Sequence, residues 1–161
     1  RTVASPICAG NLLIGTCGSG GGGSNLLVAI KPPATKNATS EIIYEVPRST
    51  APYVPTPLFS KGRLYLWGDK GVVTCLHAAS GEIIWKERVG GNFSVSPIQI
   101  GENILNVSSD GEMVTLLDDE KFEVTGRREL DEECRATPAV SNGFFLVRTK
   151  NKLLCMNISP N

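Results

Sequence analysis

His77 is the chain's only histidine, and its five cysteines are Cys8, Cys17, Cys75, Cys134 and Cys155. Any Ser-His-Asp or Cys-His arrangement would have to use His77. It stands beside Ala78 and Ala79 at the mouth of a turn, where an exposed or turn-capping role is expected. A structural zinc site is not expected, because there is no CxxC spacing and one histidine cannot complete a Cys/His cluster. An odd number of cysteines leaves at least one unpaired within the chain. Most are expected to be small buried residues, with a disulfide left open.

Two acidic runs, Asp118-Asp119-Glu120 and Asp131-Glu132-Glu133, could gather a cation. Both fall in loops between expected strands or repeats, where a solvated face is expected instead. The run from Gly18 to Gly23 invites a phosphate-loop reading, since backbone N–H groups of such loops cradle anions. That mechanism needs a following helix N-terminus, yet the next element reads as a strand from Leu26 to Ile30. A flexible hairpin connection is expected. Asn37, Asn92, Asn106 and Asn157 each open an Asn-x-Ser/Thr acceptor sequence, three of them in or beside expected strands.

The elements that position these residues repeat about every 40 residues, a period that marks a repeat architecture. A Ser/Thr-Pro pair opens each copy, at Ser5-Pro6, Thr56-Pro57, Ser96-Pro97 and Thr137-Pro138. Each is followed shortly by a glycine, Gly10, Gly62, Gly101 or Gly143. Within a copy the apolar residues alternate over short runs bounded by Gly, Asn and Asp, which is strand chemistry. The second copy reads as strands Tyr53 to Phe59, Arg63 to Trp67, Val72 to Leu76 and Glu82 to Lys86. The third reads as Phe93 to Ile98, Asn103 to Val107, Glu112 to Leu117 and Phe122 to Leu130. No segment keeps a helical i, i+3, i+4, i+7 stripe.

These readings predict an all-β chain, a β-propeller segment of four four-stranded antiparallel blades over residues 1–161. The blades are expected at about 1–47, 52–89, 90–130 and 131–157, the last lacking its outer strand. With Arg1 opening the sequence, the unfinished blade reads as the C-terminal part of a larger ring. An open arc exposes apolar end faces and the edge strand Lys152 to Asn157. Either four blades close on themselves or, as favoured here, two copies associate to complete a ring.

Sixteen basic residues balance sixteen acidic ones, with no basic stripe. That disfavours nucleic acid, whose binding needs clustered Lys and Arg. The apolar runs are too short for a helical membrane span.

The segment Leu76-His77-Ala78-Ala79-Ser80-Gly81-Glu82-Ile83-Ile84-Trp85 resembles the repeat signature of pyrroloquinoline-quinone-type propellers, roughly A-x-D-x-x-T-G-x-x-x-W. The resemblance implies that Gly81 makes the turn between strands three and four. It also implies that Trp85 packs between blades. Ser80 stands for the usual Thr, and His77 or Ala78 falls at the Asp position, so its turn bond should be absent. Tyr44 sits near the Trp position of the first copy, and Leu116-Leu117-Asp118 marks the third. The style is similar to bacterial envelope propellers, including the outer-membrane assembly lipoprotein type, and implies a periplasmic or secreted setting.

Dehydrogenase members of that group carry a vicinal cysteine pair, acidic calcium ligands and an aromatic cofactor floor. This sequence has no adjacent cysteines and shows no such acidic cluster, so no cofactor, no metal and no catalytic residue is expected. The leading expectation is a non-catalytic module binding protein or peptide, and the alternative is a fragment of a quinone-dependent dehydrogenase. Candidate contact residues follow from topology: Tyr53 and Phe93, four residues before their prolines, and Arg135, next to Cys134, could form an aromatic-plus-arginine rim.

Overall fold

The computed structural model describes residues 3–18 and 26–158. Thr2, Ser159 and most of the glycine-rich run lie outside these residues. Among the described residues all regular structure is strand, in four antiparallel sheets. Blade 1 is β1 (Ile7–Ala9), β2 (Leu12–Cys17), β3 (Leu26–Lys31) and β4 (Glu41–Val46). Blade 2 is β5 (Leu58–Ser60), β6 (Arg63–Trp67), β7 (Val72–His77) and β8 (Ile83–Arg88). Blade 3 is β9 (Ile98–Ile100), β10 (Asn103–Val107), β11 (Glu112–Leu117) and β12 (Val124–Glu129). Blade 4 has three strands, β13 (Ala139–Ser141), β14 (Phe144–Arg148) and β15 (Leu153–Asn157). Each strand pairs with its predecessor in sequence, so every blade is a meander.

The innermost strands are shorter than the sequence suggests. β5 starts at Leu58 and β9 at Ile98, where strands from Tyr53 and Phe93 were expected. Pro55 and Pro57 have no N–H to give a ladder, and the N–H groups of Tyr53 and Val54 go to the Asp69 carboxylate instead, at 2.7 and 3.0 Å. At the outer edge, the third and fourth strands of blades 1 to 3 each carry a register shift at matching places: Ala29/Ile30, Cys75/Leu76 and Thr115/Leu116. A bulge bends and twists its strand, so the three outer strands are re-aimed alike.

The Ser/Thr-Pro pair joins blades. The N–H of Ser5 donates to Thr56 Oγ1 (3.1 Å), that of Thr56 to Ser96 Oγ (2.9 Å), and that of Ser96 to Thr137 Oγ1 (3.2 Å). The second and third repeats therefore each accept from the one before and donate to the one after. The proline following each hydroxyl residue biases that residue toward an extended backbone. This ladder explains why the residue type recurs as well as the period.

Apolar side chains fill three joints. Leu12, Ile14 and Leu27 meet Leu64, Leu66 and Leu76 between blades 1 and 2. Tyr65, Trp67, Val73 and Trp85 meet Phe93, Ile104 and Leu116 between blades 2 and 3. Leu105 and Val107 meet Phe145 and Val147 between blades 3 and 4. Fully burying a side chain of this kind stabilises by roughly 1.5–3 kcal/mol. Among the described residues no core cluster joins blade 4 to blade 1, so the sheets form an open arc and do not close on themselves.

That arc corrects the expectation for the cysteines. Cys75 and Cys134 are buried, but Cys8, Cys17 and Cys155 are exposed, and all five are free. The three exposed ones lie on the outward faces of blades 1 and 4, by strand alternation against the buried Ala9, Ile14 and Val147. Among the described residues no neighbouring sheet covers those faces.

Candidate partner-binding rim

The sequence-derived rim residues do not come together at one place. Tyr53 is half-buried beside a recess of about 400 Å³, lined among others by Arg48, Thr50, Asp69 and Lys70. Arg135 is exposed at a separate recess of about 260 Å³, with Glu133, Arg148, Thr149 and Lys150. Phe93 fronts neither recess. It is buried at 3 % exposure, and its ring stands 5.3 Å from that of Trp67, wedged between blades 2 and 3. Its N–H donates to the Asp69 carbonyl at 2.9 Å. Asp69 thus holds the lead-in of blade 2 through its carboxylate and that of blade 3 through its backbone.

Gly81 and Trp85 work as a pair across successive blades. Gly81 turns the chain from β7 into β8 at φ +75°, and its N–H donates to the His77 carbonyl (2.8 Å). A Cβ there would come within 2.5 Å of the Tyr44 ring of blade 1. Tyr44 also donates its hydroxyl to the Ala78 carbonyl at 2.8 Å, and burial pushes its pKa up to about 12. One joint further on, Trp85 stacks edge-on against Phe122 at 5.1 Å and donates Nε1–H to the Asp119 carbonyl at 3.3 Å. The outer strands of blades 1 and 2 therefore each send a ring onto the turn of the next blade. In blade 3 the corresponding place is Gly126, opposite Thr115 as Trp85 is opposite Cys75, with open space around it.

Asp118 departs from the solvated reading of its acidic run. Its side chain is fully covered. It stands where Ala78 stands in blade 2, directly after the third strand, and it reaches back across the joint. Ser60 Oγ (2.7 Å), Arg63 Nη2 (2.9 Å), Tyr65 OH (2.7 Å) and Gln99 Nε2 (3.1 Å) all donate to its carboxylate. Arg63 also donates to its backbone carbonyl. Burial alone would raise this carboxyl, but the bonds from Ser60, Arg63 and Tyr65 outweigh it and hold the pKa at about 2. The same node desolvates its neighbours: burial is the largest cause raising the Tyr65 phenol, and it lifts the Cys75 thiol to about 11. The pairing of Arg63 and Tyr65 in one repeat with an Asp after strand three of the next was the signal in the sequence.

Glu132 is also committed. It accepts from Thr149 Oγ1 (2.6 Å) and Asn151 N–H (3.0 Å), and Lys152 Nζ lies 3.2 Å away. The Thr149 and Asn151 bonds hold its pKa at about 2. Among the described residues no cluster of three or more His, Cys, Asp or Glu side chains could hold a metal ion. His77 is exposed at the end of β7, and its backbone closes the turn. Of the Asn-x-Ser/Thr acceptors, Asn106 is buried, its amide donating to the Val95 carbonyl at 3.0 Å.

The sequence matches the family described as outer membrane protein assembly factor BamB, over residues 34–124 and again over 69–159. The chain belongs to that family. The two overlapping matches are offset by roughly one blade, as a repeat requires. The fold of BamB from Moraxella catarrhalis superposes with a TM-score of 0.70 at 17% identity, covering 92% of this chain and 44% of that one. A europium-containing methanol dehydrogenase superposes with a TM-score of 0.61 at 12% identity, covering 80% of this chain and 25% of that one. The chain thus spans less than half the length of either structure. A comparison with curated proteins finds no match. The BamB family places this chain among bacterial quinone-propeller-like repeat proteins. Among the described residues no helix is long and apolar enough to cross a membrane.

Proposed function

We propose that this BamB-family chain is a non-catalytic scaffold that binds protein or peptide partners at the rim formed by the lead-in loops and the strand two to three turns, in the bacterial envelope. The observation that carries this reading is how the polar groups are spent. Asp118, Glu132, Asp69 and the Ser/Thr ladder all tie blade to blade or loop to strand. What remains exposed is shaped, rigidly backed surface, which suits binding more than bond-making.

The described residues do not fit a quinone and calcium. Asp118 is neutralised by Arg63, and the remaining acids are not gathered. An absorbance titration with pyrroloquinoline quinone and calcium separates the two readings. No saturable change is expected, and saturable binding would favour the dehydrogenase reading.

A second copy completing the ring would extend the hydroxyl ladder from Thr137 to the partner's Ser5. Blade 4, however, places Arg148 at the last position of its second strand, where Trp67 and Val107 pack against the next blade. Sealing that face as the inner joints are sealed would bury a guanidinium, at a cost of several kcal/mol without a partner charge. The reading therefore places a foreign partner ahead of a second copy.

A further inference from the structure

We infer that the recess at the end of blade 4 is a carboxylate-binding site, made to receive an acidic segment of a protein partner. This deepens the binding function proposed above and rests on it. Arg148, Arg135 and Lys150 line the recess with one acid, Glu133. The Glu133–Arg135 pair is long, at 3.9 Å, and both side chains are more than half exposed, so it neutralises little. Among the described residues the Arg148 and Lys150 side chains form no ion pair.

The floor is built. Cys134 is fully buried, bridges Thr149, and donates its thiol to the Arg148 carbonyl at 3.4 Å. Its N–H donates to the Ser109 carbonyl of blade 3, and Lys150 N–H donates to the Glu133 carbonyl at 2.9 Å. Glu132 clamps the turn through Thr149, Asn151 and Lys152, which spends the nearest other carboxylate on structure. The cations therefore project from a fixed backbone. Two guanidiniums can each grip a carboxylate through two parallel N–H donors, which an ammonium cannot do. A recess of about 260 Å³ admits one or two acidic side chains and their backbone, so the ligand is a segment and not a folded surface.

The test is fluorescence anisotropy with a labelled peptide of alternating Glu and Gly, set against its Gln/Gly counterpart. The Glu peptide is expected to bind saturably, more weakly as salt rises, and the Gln peptide not at all. Arg148→Gln and Arg135→Gln are each expected to weaken it about tenfold, while Lys86→Gln on the outer strand leaves it unchanged. All three positions are exposed, and unchanged urea midpoints check folding. Equal binding of the two peptides, no saturation, or tight binding by the double arginine variant would overturn the inference. If the Glu peptide binds no better than the Gln peptide while the rim of the wild type still cross-links to a protein partner, the acidic-segment site fails and the scaffold reading stands.

Discussion

Asp118→Ala is expected to be the most damaging single substitution on this surface of the fold, costing about 3–5 kcal/mol. It strips the partner from Arg63, whose side chain is 12 % exposed, and leaves the Ser60 and Tyr65 hydroxyls without their acceptor in a covered joint. Against a total stability of about 5–15 kcal/mol for an ordinary domain, that is a large fraction. Urea unfolding followed by tryptophan fluorescence reads it well, because Trp67 and Trp85 both lie in this joint.

The same node sets a pH dependence. The folded carboxyl titrates at about 2 and the unfolded one near 3.8. A depressed folded pKa means the stabilisation is present above the unfolded value. It is lost as pH falls from about 4 through 2. At 1.36 kcal/mol per unit, the loss amounts to about 2 kcal/mol. Asp118→Asn is expected to remove that acid-sensitive part. An unfolding midpoint with the same acid dependence in wild type and Asp118→Asn would contradict the assignment.

Trp85→Ala is the second large effect, expected at about 3–5 kcal/mol from lost burial plus the cavity left behind. The ring is 9 % exposed, touches Tyr65 at 5.9 Å and Phe122 at 5.1 Å, and closes the outer end of the joint between blades 2 and 3. Trp85→Phe keeps an aromatic wedge but loses the bond to the Asp119 carbonyl, so it is expected to cost about half as much. Denaturation midpoints of the two variants measured side by side check this ordering. Equal stability of Trp85→Ala and wild type would show that the ring is not a joint element.

The architecture was legible because its signals are local. Gly81 must turn, Pro57 and Pro97 must punctuate, and β6, β7, β10 and β11 alternate cleanly or run apolar, so blade count and strand order followed from spacing. What the sequence hid were contacts between repeats. Asp118 looked like one member of a solvated acidic run, because its partners Ser60, Arg63 and Tyr65 lie more than fifty positions away. Phe93 looked like a rim residue because lead-in position alone does not say which way a ring turns. Its N–H bond to Asp69 and the adjoining Trp67 draw it into the joint. Most cysteines were expected to be buried because free Cys is usually a small core residue, and residue type alone cannot say that Cys8, Cys17 and Cys155 sit on exposed faces of their strands. Arg148 was overlooked for the opposite reason: a terminal strand residue reads as solvated unless it is set beside Trp67 and Val107 of the preceding blades.

The central claim, that the rim is where this BamB-family scaffold takes a protein partner, is tested most directly by site-specific photo-crosslinking in the cells that make the protein. A benzophenone side chain would replace Tyr53 at the first recess, Lys150 at the second, and exposed Ile83 on the outer strand as the control. The account predicts discrete adducts to another protein from the two rim positions and none from Ile83. Adducts at twice the chain mass would mark a second copy as the occupant, and no rim adduct, or equal adducts from all three positions, would contradict the claim.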